Sequence, residues 1–556
     1  MQRPAEPAHA ESGDRDFIID DLELPLPATA DGLARQDDGG DVAGDDSGGQ
    51  RRRRRRRRSA AAAPAAPEGS RPAFVRLTDP FLRWGPLALL AFAPLAWGSV
   101  EAWSEMVVVA GSCAIGAVWL LRLGWFPECC AADRSAGGQI GSWSAGLLVP
   151  LIAVLGVGVV QLAPIGHLVA LASPVGAEIQ RQAGIGVGSQ TLSLARQETL
   201  LALAQYAGYV LLFLAVLDGL HGRADVRRLA AAIVALGFAH AVGGILWHYQ
   251  SSGRAYWAPT AGGSSFGPYI NRNHFACLMG MAVPFGVGFL LSLGHRREDP
   301  RGDAGNPGGL GGSGGPGAAL LFDPPSRKSE KGSKVLLFGF VVAVMAGALG
   351  LSLSRGGIVS TLAALSVFAV VVGARRSTRG HVWKVAAAVA AALAFTVWLV
   401  AQPLLDRLST IADGRDVAAR TGIWEDTIRM AADYPIFGTG FGTFAEVYPG
   451  YQTAHVDGTV LFAHNDWVQL LAEGGLAGTL AVLAVIVGYA AAAAKRLARR
   501  RDREAIFLGL GALGGVLAFL LHSFTEFNAH IPANALWFTV LAALALKSLS
   551  CRVIDR

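Results

Sequence analysis

Charge is scarce in this chain. Of 556 residues, 16% are Asp, Glu, Lys or Arg, against roughly 25% in an ordinary soluble domain. Hydrophobic residues make up 52%, and mean hydropathy is +0.39. So little charge excludes a soluble α/β enzyme and a coiled coil, since each needs a charged, wetted face. Cysteine is also scarce, with only Cys113, Cys129, Cys130, Cys277 and Cys551. None stands in CxxC or Cys/His spacing, so neither a zinc site nor a disulfide framework is supported. A Walker loop, an acidic pair spaced for magnesium and an internal repeat of about 20–50 residues are missing as well.

What the chain does have is apolar runs of about 18 to 25 residues, long enough to cross a bilayer as helices. The expected fold is all-α: a polytopic transmembrane bundle of about 12 spans. They are read at 85–100, 105–121, 144–163, 199–218, 229–247, 274–294, 335–352, 357–373, 384–402, 467–493, 505–522 and 534–549. Residues 1–80 read as a disordered tail, rich in Ala, Pro, Gly, Asp and Arg and without apolar periodicity. The first 50 residues hold thirteen acids against three arginines, and Arg51 to Arg58 are then an unbroken run. Such a run can meet nucleic acid. Ahead of membrane spans it is read instead as a cytoplasmic anchor beside anionic lipids, with no nucleic-acid partner. The run lies well before the first apolar segment, so the tail is not read as a secretory signal.

Lysine and arginine in alternate loops set the expected orientation. Arg223/Arg227/Arg228, Arg296/Arg297, Arg327/Lys328/Lys331/Lys334, Arg375/Arg376/Arg379 and Lys495 to Arg503 fall on one side. This side is read as cytoplasmic, with both termini. The loop 295–334, containing GGLGGSGGPG, reads as a flexible cytoplasmic linker. On the other side, 403–466 is the longest ordered-looking loop, partly helical, and the first place to look for chemistry. The loop 164–198 on that side is shorter and mildly amphipathic.

Three residues there stand out. Arg355, in LSLSRGGIVS, sits at a span end, where a charge needs pairing, water or a ligand. It reads either as functional or as an arginine snorkelling to the interface. Arg420 lies in DVAARTGIWEDTIRMAADYP, a helix closed by Tyr434–Pro435. Val417, Trp424, Ile428 and Ala431 are spaced along one face, with Arg420 inside that stripe and Glu425/Arg429 set to pair on the wet side. An inward arginine wants an anion, or else stacks on Trp424. His464, in LFAHNDWVQLLAEGGLAG, stands where the long loop re-enters the membrane, with Asn465 and Asp466 as caps. An imidazole there suits a general base, and equally suits an interfacial histidine without chemistry. Two further polar mouths are NRNHFACLMGMAVPF (Asn271, Arg272, Asn273, His274) and HSFTEFNAHIPAN (His522, Glu526, Asn528, His530). They bind sugar on one reading and cap helices on the other. Trp424, Tyr434, Tyr448 and Tyr451 offer aromatic faces to sugars or to the interfacial belt.

Arginine binds phosphate in a bidentate fork and stays charged. Two arginines and a histidine facing away from the cytoplasm fit a lipid-linked diphosphate sugar donor. On SLSRGG, RTGIWEDTIRMAADYPIFGTGFGTF, AHNDWVQLLAEGGLAG and HSFTEFNAHIPAN, the chain resembles the bacterial O-antigen ligase/polymerase family over about residues 85–549. The resemblance implies an integral-membrane glycosyltransferase of the C type in the bacterial inner membrane, its active site periplasmic. It would move a glycan from undecaprenyl diphosphate to an acceptor hydroxyl on a glycan or lipid A core. Arg355 and Arg420 would hold the diphosphate and His464 would act as base, with inversion and without metal or cofactor. Asn271, Asn273 and Trp424 are the further substrate-binding candidates. The arginine run and the 295–334 insertion depart from the family pattern. Two other classes stand beside this one: a transporter or flippase, which twelve spans would suit but which lacks a midspan acid, and a non-catalytic envelope scaffold.

Overall fold

The computed structural model describes residues 72–126, 145–220, 222–250, 265–293, 327–381, 383, 387, 390, 415–453 and 458–550. Among these there is no β-strand, only an isolated bridge between Phe266 and Tyr269. Fifteen α-helices are described: α1 (Ala73–Leu95), α2 (Ala102–Trp125), α3 (Ala145–Leu162), α4 (Gly166–Ala172), α5 (Pro174–Gln182), α6 (Arg196–Gly219), α7 (Arg223–Gln250), α8 (Arg272–Leu293), α9 (Arg327–Leu351), α10 (Arg355–Ala374), α11 (Arg415–Asp433), α12 (Phe444–Val447), α13 (Asp466–Arg499), α14 (Arg503–His522) and α15 (Pro532–Ser550). Nine of them are long and apolar enough to cross a membrane, and α3 with α4, bent by 110°, makes up to ten. The protein is an all-α integral membrane protein.

Helices that are apolar on every side belong in the middle of a bundle. In α8 and α15, 89% of the apolar window is buried, and in α14 78%, against 17% for α13. So α8, α14 and α15 form the centre, with α6, α9 and α10 packed on them. Leu476, Leu480 and Val487 of α13 stay exposed, as a lipid-facing helix requires.

The expected boundaries shift where polar residues find partners. Helix α1 begins at Ala73, inside the stretch read as tail, and ends at Leu95 rather than 100. Its polar start is held because Arg122 of α2 pairs with Asp79 at 2.6 Å. Helix α9 begins at Arg327, within the expected linker. The arginine run, GGLGGSGGPG and nearly all of the span expected at 384–402 lie outside the described residues.

The basic loops converge at one end of the bundle. Arg223 pairs with Asp502, Arg227 with Glu504, and Arg375 Nη2 donates to Arg500 O at 2.8 Å. The other end carries the turns before α8 and α10, the α11 region, and the turn between α14 and α15.

Helix α11 packs on α13 and builds a second small core with Phe444, Tyr448, Val460 and Ala463. Its inward face is not the expected one. Ile423, Asp426, Thr427 and Met430 are buried, whereas Ile428 is 53% exposed. The cause is Asp426, a wholly buried carboxylate that accepts from Thr453 N (2.9 Å), Thr453 Oγ1 (2.7 Å) and Tyr448 Oη (3.1 Å). Arg429 pairs with Asp426 in place of the expected Glu425. A buried, fully bonded acid turns the helix more firmly than an isoleucine does.

Candidate active site

A break in α13 fixes the large loop to the bundle. Gly475 has φ +59° and ψ −162°, which interrupts the helical hydrogen bonds inside a span. Backbone groups freed there must be bonded internally. Residues 435–440 supply the partners. Leu476 N donates to Pro435 O and Ala477 N to Ile436 O, both at 2.9 Å. In return Thr439 N donates to Ala472 O and Gly440 N to Glu473 O, both at 3.0 Å. The two strips of backbone touch, so a Cβ on Gly475 would stand 2.5 Å from Gly438 N. Glu473 accepts from Gly442 N (2.9 Å) and Phe444 N (3.1 Å), and Gln161 Nε2 of α3 donates to Phe437 O (2.6 Å) and Glu473 O (2.8 Å).

Above this joint lies a cavity of about 230 Å³. The first turn of α8 lines it with Arg272 and Asn273. The start of α10 contributes Leu353 to Gly356, α11 gives Arg420, the end of α14 gives His522, and the turn after it gives Thr525 and Glu526. Three arginines therefore face one carboxylate. Arg355 is exposed at the first position of α10 and makes no ion pair among the described residues. Leu353, two residues before it, has φ +54°, a strained turn of the kind that collects at functional sites.

Glu526 is the hub. It is 1% exposed. Its Oε1 accepts from Arg420 Nη2 (2.7 Å) and Asn273 Nδ2 (2.5 Å), and its Oε2 lies 3.3 Å from His464 Nδ1. Arg420 Nη1 also donates to Thr525 O at 2.7 Å. Arg420 thus spans α11 and the α14–α15 turn, and no stacking on Trp424 is needed to place it. Burial pushes the Glu526 carboxyl up, but the His464 hydrogen bond and the Arg420 charge outweigh it and lower it to about 2. The group is a fixed anion.

His464 sits at φ +51°, between Ala463, whose carbonyl takes Trp424 Nε1 at 2.9 Å, and Asn465, whose Oδ1 caps α13 through Trp467 N (3.0 Å) and Val468 N (3.3 Å). Its ring stands edge-on to Phe527, centroids 4.9 Å apart. It is not among the cavity-lining residues and reaches them through Glu526.

So Arg355, Arg420 and Asn273 line one cavity, and His464 adjoins it. Asn271 and Trp424 do not line it. Asn271 Oδ1 accepts Asn273 N at 2.8 Å as a cap of α8, and Trp424 holds the backbone ahead of His464. Sequence reasoning left Glu526, Arg272 and His522 among undifferentiated mouth residues and did not single out Thr525. A signal for Glu526 was present, as it is the only acid between residues 505 and 550. Deeper in, His530 is held between Asp466 Oδ1 (2.9 Å) and Glu473 Oε2 (3.9 Å). Burial pulls its imidazolium down, but the bonds to those two carboxylates win and raise it to about 10. Among the described residues, no cluster of three His, Cys, Asp or Glu side chains offers a metal site.

Residues 340–483 match the family model for O-antigen ligase. This stretch is similar to the O-antigen ligase domain. The matched stretch runs from within α9 to the middle of α13 and contains Arg355, Arg420 and His464. Residues outside it complete the cavity: Arg272 and Asn273 on α8, His522 at the end of α14, and Thr525 and Glu526 after it. The matched stretch and the helices around it thus share one site. No curated protein matches the chain.

Proposed function

We propose that this protein is an inner-membrane glycosyltransferase of the O-antigen ligase/polymerase type. It takes a glycan from undecaprenyl diphosphate on the periplasmic side and joins it to an acceptor hydroxyl of a glycan or lipid A core. The observation that carries this is the shared carboxylate. Glu526 holds Arg420 and His464 at once, at the edge of a cavity with more arginine than acid. Arg355 and Arg420 neutralise the diphosphate as it leaves, where negative charge grows in the transition state. His464 takes the proton of the attacking hydroxyl, and Glu526 orients its ring and stabilises the imidazolium that forms. The acceptor oxygen bonds to the anomeric carbon as the carbon–oxygen bond to phosphate breaks, so the configuration inverts. No metal is needed for these steps. Asn273 holds Glu526, and Asn271 and Trp424 serve the site by fixing backbone.

The test is to express wild type, Arg420→Ala and His464→Ala and to follow glycan products at matched membrane levels. Lipid-linked glycan accumulates in both variants and the conjugate or polymer disappears. Long trapped chains mark a ligase and single repeats a polymerase. Unchanged products in both variants would remove these residues from the chemistry and bring the transporter reading forward.

A further inference from the structure

His522 has no task in the steps above. It ends α14, is 1% exposed and lines the cavity, yet among the described residues neither ring nitrogen has a hydrogen-bond partner. An imidazole always carries at least one N–H donor, and buried polar groups in folded proteins are almost always bonded. The ring lies along the start of α10. A Cβ on Gly356 would stand 3.2 Å from its Nε2, and one on Gly357 would stand 3.3 Å from its Cε1. The two glycines after Arg355 thus bring the helix terminus up to the edge of the ring. Ser354 Oγ takes Gly357 N at 3.3 Å, while the amides of Arg355 and Gly356 precede any helical acceptor. A helix N-terminus, a guanidinium and an unbonded buried imidazole therefore meet at one wall. Such termini favour phosphate. Arg420, which also lines the cavity, is already committed to Glu526.

Resting on the diphosphate donor proposed above, we infer that His522, Arg355 and the first-turn amides of α10 form a phosphate subsite, with a His522 N–H donating to a phosphate oxygen. His522 is a binding residue that sets where the diphosphate sits. The proton of the acceptor is left to His464, which adjoins the cavity through Glu526.

Full-length protein in detergent is titrated with inorganic pyrophosphate and followed by calorimetry and thermal shift. His522→Phe and His522→Leu, which lack the donor, bind about tenfold or more weakly, the worth of one hydrogen bond to a charged group. His522→Gln, whose amide donates, recovers most of the affinity. Arg355→Ala weakens binding too, and His240→Phe, a remote buried histidine of α7, leaves it unchanged. Phe and Leu variants that bind like wild type while Arg355→Ala is weakened overturn the role of His522 alone. A Gln variant as weak as Phe overturns the hydrogen bond. If wild type and Arg355→Ala do not differ, the diphosphate reading fails as well. Two donor-free variants ensure that one misfolded protein does not decide the matter.

Discussion

The two ends of the bundle use arginine in opposite ways. At the basic end, Arg223, Arg227 and Arg500 each meet Asp502 or Glu504 directly, and the space among them is about 20 Å³. At the other end, Arg355 and Arg420 line about 230 Å³, and among the described lining residues Glu526 is the one acid, already paired with Arg420. Saturated arginines hold helices together, whereas Arg355, with no ion pair among the described residues, faces an open volume ready for an anion. Counting arginines in the sequence does not separate these cases. Counting the acids that face them does.

The strongest break of this comparison is Arg355→Ala. Losing a cation that meets the charge of the leaving group lowers turnover about a hundredfold or more. Because Arg355 is exposed and has no ion pair among the described residues, the thermal midpoint stays where it is. A normal rate would move Arg355 to the structural class. Next comes Glu526→Gln, which leaves Arg420 beside a neutral group. Breaking a buried pair costs roughly 3–5 kcal/mol, and the low end applies because the Arg420 side chain is 33% exposed. Turnover falls with it, since His464 loses its orienting carboxylate. Denaturation and product assays on the same preparation check both parts.

Arg227→Ala sharpens the contrast from the other side. It lowers stability by about 1 kcal/mol, and product per inserted molecule does not change. The smallest effect is on pH. Glu526 is lowered from 4.5 to about 2, so its contribution is complete above pH 4.5 and is lost between 4.5 and 2. His530 is raised from 6.5 to about 10, so its contribution is complete below pH 6.5 and fades between 6.5 and 10. The wild-type thermal midpoint therefore falls across the alkaline window, and His530→Asn flattens that slope. An equal slope in the variant would show that His530 does not carry it.

Much of this was legible in one sequence. Of the twelve expected spans, apolar run length located the nine to ten that qualify among the described residues, and lysine and arginine placement gathered the basic loops at one end. Arg355, Arg420 and Asn273 converge on one cavity from segments read separately. What the sequence hid was pairing at long separation. Arg420 and Glu526 are far apart along the chain, and no local pattern joins them. Asp426 reversed the expectation for α11 because a polar residue that finds every partner ranks with the core, which periodicity counts as surface. The seam between Gly438 and Gly475 was hidden for the same reason: each glycine reads locally as a turn or a helix weakness, and only together do they reveal two backbones in contact.

The turn after α14 also sets when the site comes into being. A chain made and inserted from its N-terminus brings out Arg272, Arg355, Arg420 and His464 first, and Glu526 only with the last described helical hairpin. Until that hairpin docks, Arg420 lacks its carboxylate, His464 lacks its orienting partner and the cavity lacks a wall. Nascent chains are therefore silent toward a lipid-linked donor already in the membrane, and competence arrives in one late step of assembly.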